Sequence, residues 1–126
     1  MLLEGRQIIP PDKVVMIGEQ KTRAGIKMTL HKLHILKDYT RLFASIENID
    51  ENKEITLYTP GLKAIQRKKQ FEYSYESDRK YRMIKSTIPP GVVEEGVLIL
   101  EPLDNSVDHV KFLVPFHTIG IEFNYF

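Results

Sequence analysis

From Ile26 to Ile35 the sequence reads IKMTLHKLHI, with Ile26, Met28 and Leu30 at every second position and Leu33 and Ile35 displaced to the opposite parity. A period of two is the repeat of a strand that turns alternate side chains to one core. One inserted residue near His31 and Lys32, a β-bulge, returns both sets to a single face. Helical periodicity is nearly absent elsewhere. Short alternating segments rich in Ile, Val, Leu, Tyr and Phe recur between turn residues instead, which is the pattern of an all-β protein.

The strands follow from the same reading. Val14 to Ile17 forms a first strand closed by Gly18, and YTRLFASIEN places Leu42, Ala44 and Ile46 together before the polar turn ENIDENKE. Glu54 to Tyr58 is the expected hairpin partner of that strand. Leu62 to Ile65 and Phe71 to Tyr75 supply further strand material after the break TPG at Thr59 to Gly61. Val97 to Leu100, bounded by Gly91 and Pro102, reads as a central strand because its apolar run is continuous. Val110, Phe112 and Val114, then Ile121, Phe123 and Tyr125, complete the set. The expected fold is one antiparallel β-sandwich of seven to nine strands over residues 1–126, with 1–12 as a lead and 117–126 as an extra C-terminal strand. Its expected core includes Leu42, Ala44, Ile46, Leu98, Leu100, Val110, Phe112 and Val114.

Three stretches carry a family resemblance: GIKMTLHKLHI, the strand ending in SIENID, and IPPGVVEEGVLILEP. Together they resemble the telokin-like domains of bacterial and archaeal lipoproteins and secreted antigens. The resemblance covers roughly Gly25 to Pro115 and implies an immunoglobulin-like sandwich without catalytic motifs. It also implies export or anchoring, whereas MLLEGRQIIPPDK has an acid and two prolines where a signal peptide has a basic start and an apolar run. The expected location is therefore cytoplasmic for the sequence as given, with the cell envelope or exterior as the alternative if an anchor precedes it.

The chain has no Cys, which removes disulfides, thiol nucleophiles and thiolate metal sites. No apolar run approaches the roughly 18 residues of a membrane-spanning helix. His31 and His34 lie three positions apart, on opposite faces of a regular strand unless the bulge rotates one, so no metal site or cofactor is expected from them. Glu94 and Glu95 are neighbours on a strand and cannot converge as an acid/base pair; a solvated strand start accounts for them. The seven glycines are dispersed singly, so no phosphate-cradling loop exists. The expectation is an interaction or structural module that is not an enzyme and binds a protein partner or an envelope component.

One stretch suggests a surface. QRKKQFEYSYESDRKYRMIK, residues 66–85, surrounds four aromatics with cations, and residues 63–85 carry eight Lys or Arg against three acids. The candidate binding residues are Arg67, Lys68, Lys69, Tyr73, Tyr75, Arg79, Lys80, Tyr81 and Arg82. A two-residue turn at Ser77 and Asp78 would pair Tyr75 with Lys80, Tyr73 with Arg82 and Glu76 with Arg79. Cations engaged across such a hairpin stabilise it, and the net charge is only +1. Binding of a polyanion or nucleic acid through residues 63–85 is accordingly the second reading. The last strand, GIEFNYF, has no adjacent Lys or Pro to blunt an edge, which points to closure of the sandwich or to a homodimer formed by strand addition.

Overall fold

The computed structural model describes residues 11–105 and 109–125. The lead expected at 1–12 lies almost wholly outside the described residues, as does Phe126. Ten strands follow in chain order: β1 (Lys13–Arg23), β2 (Ile26–Ile35), β3 (Thr40–Asn48), β4 (Ile55–Thr56), β5 (Lys63–Gln66), β6 (Lys69–Glu72), β7 (Thr87–Ile88), β8 (Val93–Leu100), β9 (Val110–Pro115) and β10 (Gly120–Tyr125). They form two antiparallel four-stranded sheets, β1-β2-β3-β8 and β10-β9-β5-β6, and a small β4-β7 pair. Among the described residues no helix is long and apolar enough to cross a membrane.

The parity shift in β2 is a bulge. The β2–β3 register slips between Leu30 and Lys32, and Ile26, Met28, Leu30, Leu33 and Ile35 all reach the core. They meet Leu42, Ala44, Ile46, Leu98 and Leu100 from the same sheet, and Ala64, Val110, Phe112, Val114, Ile121 and Phe123 from the other. The two inward faces thus share one apolar core, the driving term of the fold. All eight expected core residues are buried.

Four expectations are corrected. β1 does not stop at Gly18 but passes through a register shift between Met16 and Glu19, where Gly18 takes a φ of +70°. Glycine reaches that conformation without a Cβ clash, so the strand bends and continues. Ile55–Thr56 pairs with Thr87–Ile88, not with β3, whose far side is taken by β8. β8 is the last strand of its sheet rather than a central one. Its apolar run is continuous because both faces are covered, leaving Val97, Leu98, Ile99 and Leu100 buried.

The fourth correction concerns the Ser77–Asp78 hairpin, which does not form. β6 ends at Glu72, Tyr73 bridges to Leu100, and Met83 bridges in parallel to Val97. Residues 72–74 and 82–84 therefore cover the open edge of β8, and the chain between them makes an excursion over the outer face of the first sheet. We call residues 73–84 the strap. Gly96 permits its closest approach, since a Cβ there would stand 2.3 Å from the Arg82 carbonyl oxygen.

The resembling stretches meet. Asn48 of SIENID is fully buried and donates to the carbonyls of Lys53 (2.7 Å) and Ile88 (3.0 Å). Its backbone carbonyl accepts from Gly91 N–H (2.8 Å), and its own N–H donates to Val92 (3.0 Å), within IPPGVVEEG. β10 pairs with β9 as the extra C-terminal strand. Its carbonyls at Gly120 and Glu122 accept from Arg23 (2.8 Å) and Lys21 side chains of β1, so this edge does carry basic residues, supplied by a strand remote in sequence.

Candidate functional site

The strap is held by Asp78. Oδ1 accepts from the backbone N–H groups of Lys80 and Tyr81, both at 2.8 Å, closing a turn of the kind Asp side chains favour. Oδ2 accepts from Tyr39 Oη at 2.9 Å and from Arg41 Nε, which also forms an ion pair with it. Burial alone would raise the carboxyl's pKa. The Arg41 guanidinium, the Tyr81 and Lys80 N–H groups and the Tyr39 hydroxyl outweigh burial and hold it below the usual carboxylate value. Burial and the same hydrogen bond raise the pKa of Tyr39.

Beside this pair lies a cluster of rings. His34 and Phe43 meet edge-on with centroids 4.5 Å apart, and Phe43 meets Tyr81 in the same way at 4.8 Å. Arg41 lies 4.9 Å over Tyr81, Lys80 5.2 Å over Tyr81, and Lys32 4.8 Å over Phe43. Each such contact contributes on the order of 0.5 to 1 kcal/mol. Arg41 Nη1 stands 3.3 Å from His34 Nδ1. A guanidinium can only donate, so Nδ1 accepts and the imidazole is neutral with its proton on Nε2.

Burial, then the charges of Lys32, Arg41 and Lys80, lower the His34 pKa to about 4, with Asp78 opposing. The unfolded chain takes up that proton near pH 6.5. A depressed folded value means the stabilisation is complete above pH 6.5 and is lost as pH falls from 6.5 through 4. Asp78 adds a further loss below its unfolded value near 4. Stability measured by denaturant titration is expected to fall by at most about 3 kcal/mol across the His34 window. A His34→Gln variant should flatten that limb, whereas an unchanged limb would refute the assignment.

Between the strap and the sheet runs an open groove of about 440 Å³, lined by His31, Lys32, Phe43, Tyr81, Arg82 and Glu95 among others. The bulge places His31 on the outer face with His34, against the separation expected of a regular strand. His31 Nε2 stands 2.7 Å from Ser45 Oγ, and Ser45 Oγ donates to Glu95 Oε2 at 2.9 Å. The serine's single proton is directed to the carboxylate, so His31 is the donor to Ser45. That order is the reverse of a base-activated nucleophile, in which the histidine accepts the hydroxyl proton. Among the described residues no group of three or more His, Asp or Glu is placed to hold a metal ion.

The nine candidate residues fall in three places. Arg67, Lys68 and Lys69 form the β5–β6 turn, with Arg67 and Lys68 at φ of +50° and +69°, the signature of a type I′ turn built without glycine. Tyr73 and Tyr75 meet each other at 5.0 Å instead of pairing with Arg82 and Lys80. Those two rings lie in the first half of the strap, and the exposed Arg79 with Lys80, Tyr81 and Arg82 lies in its second half. Arg82 Nη2 forms an ion pair with Glu94 at 3.0 Å, and Glu94 also accepts from Lys85 N–H, so Glu94 is a buried anchor rather than a solvated start. Sequence reading missed Tyr39, Arg41, Phe43, Ser45 and Glu95 as parts of a site. Phe43 was the available signal, a large apolar side chain on the polar parity of β3. Compared with models of known protein families and with curated proteins, the chain matches none.

Proposed function

We propose that this protein is a non-enzymatic, immunoglobulin-like interaction module that binds a polypeptide partner in the groove between the strap and the outer face of the first sheet. The observation that carries this reading is the convergence there of two rings, Phe43 and Tyr81, with the cations Lys32 and Arg82 at one open groove. Arg82 keeps 59% of its side chain exposed despite its ion pair. Rings flanked by cations suit a segment with apolar and acidic side chains. The telokin-like resemblance of SIENID and IPPGVVEEG adds to this reading an envelope or secreted setting as the alternative to the cytoplasm. A homodimer through β10 remains a lesser part of this reading, since strand addition there displaces Lys21 and Arg23.

Peptides selected from a displayed random library on the wild-type domain are expected to be acidic and apolar. They should lose about tenfold in affinity, roughly 1.4 kcal/mol, on a Lys32→Glu variant. Selected peptides that bind both proteins alike would sink the groove as the site.

A second reading, polyanion binding, draws on the β5–β6 turn. Two non-glycine residues at positive φ carry strain on the order of 1 kcal/mol each, and such strain concentrates at functional positions. Fluorescence anisotropy with labelled single-stranded DNA and RNA at two salt concentrations tests it. Tight binding at low salt that is abolished by Lys68→Glu with Lys69→Glu would promote this reading over the first.

A further inference from the structure

Within the first sheet, β1 is the outermost strand, and its two halves differ. The second half is tied to β10 through Lys21 and Arg23. The first half, Lys13 to Ile17, pairs with β2 on one side and with no described strand on the other. An edge strand presents a row of main-chain donors and acceptors, and natural proteins usually blunt it with charge, proline or a cover. Here the outward side chains are instead apolar: Val14 is 51% exposed and Met16 68% exposed. Val15, between them, points into the core.

We infer that this half of β1 is a dimerisation edge, on which a second copy of the chain adds antiparallel through its own β1, with the two-fold axis at Val15. The occupant follows from self-complementarity. In that register Val14 stands opposite Met16 of the second copy, and Met16 opposite its Val14, so all four exposed apolar side chains are covered at once. Directly opposed side chains on one face are the unit of sheet stabilisation. Lys13 falls opposite Ile17 rather than opposite the other Lys13, and its ammonium is already drawn to the Asn105 carbonyl at 2.6 Å. Like charges therefore do not oppose one another.

The register also has a natural end. The shift between Met16 and Glu19 turns β1 away beyond Ile17, which confines pairing to the first half. The product is a two-fold dimer whose first sheets join into one continuous eight-stranded sheet, an isologous interface of the commonest symmetry. So short a pairing belongs to the small-interface class, below about 1,200 Å², and association is read at high concentration.

The absence of native cysteine makes the register measurable. Sedimentation equilibrium of the full chain should show a mass rising from 14.7 kDa toward twice that value at high micromolar concentration. Met16→Asp should abolish the rise without unfolding the monomer, because Met16 is exposed. Under mild oxidation, Val14→Cys mixed with Met16→Cys should give the mixed disulfide in excess over either like-with-like product. Three outcomes overturn the proposal: a wild type that stays monomeric, a Met16→Asp variant that dimerises as the wild type does, or like-with-like disulfides that match the mixed yield.

Discussion

Asp78→Ala is expected to destabilise the protein by about 3 to 5 kcal/mol, because it leaves the Arg41 guanidinium buried without its counter-charge. Asp78 is only 8% exposed and Arg41 only 6%. The loss removes all four hydrogen bonds that the carboxylate accepts, so the strap should detach and become cleavable by trypsin at Arg79, Lys80 and Arg82. Denaturant midpoints measure the first effect and limited proteolysis the second. Replacing both partners by apolar residues, Asp78→Leu with Arg41→Met, should recover much of the stability, since the desolvation cost disappears with the pair. A midpoint that hardly moves in Asp78→Ala would mean that the strap is not held by this contact.

Phe112→Ala is expected to cost a similar 3 to 5 kcal/mol for a different reason. Phe112 is among the largest fully buried side chains and sits on β9, flanked by β5 and β10 and facing the opposite sheet. Truncation forfeits its apolar transfer energy and leaves a cavity that paired strands on both sides cannot collapse into. Equilibrium unfolding in urea should show a lower midpoint with an unchanged slope. A loss below about 1 kcal/mol would show that β9 is not the centre of its sheet.

The core was legible because burial leaves a local mark. Alternation in β2, β3 and β9 names the inward residues one by one, and the parity slip at His31 names the bulge. Partners were less legible, because pairing depends on which distant edge is open. Glu54 to Tyr58 looks like the return strand of a hairpin, but β8 occupies that side of β3 after a crossing to the other sheet and back. The hairpin at Ser77 and Asp78 failed for a chemical reason. An Asp in a two-residue turn is ordinarily solvated, and nothing adjacent announces that Arg41 and Tyr39, 37 and 39 positions away, will bury it. The candidate residues lie in one contiguous stretch, whereas much of the groove is contributed by β2, β3 and β8, which carry no comparable cluster of cations and rings in sequence. The unblunted C-terminal edge is the same kind of miss, since the Lys and Arg that reach its carbonyls come from the opposite end of the chain.

The pairing of β3 with β8 also orders events in time. It joins residues fifty positions apart, as in the bond from Ser45 to Glu95, while β1, β2 and β3 meet through short turns. Local hairpins close early, and long loops must be closed before non-local contacts return any stability. On a ribosome adding about 5 to 20 residues per second, the β1-β2-β3 meander emerges complete while the edge of β3 still waits for β8. Over those seconds the nascent chain presents Leu42 and Ile46 together with an unpaired strand edge. This transient sheet, more than any part of the finished fold, is where a chaperone or a neighbouring nascent copy would act.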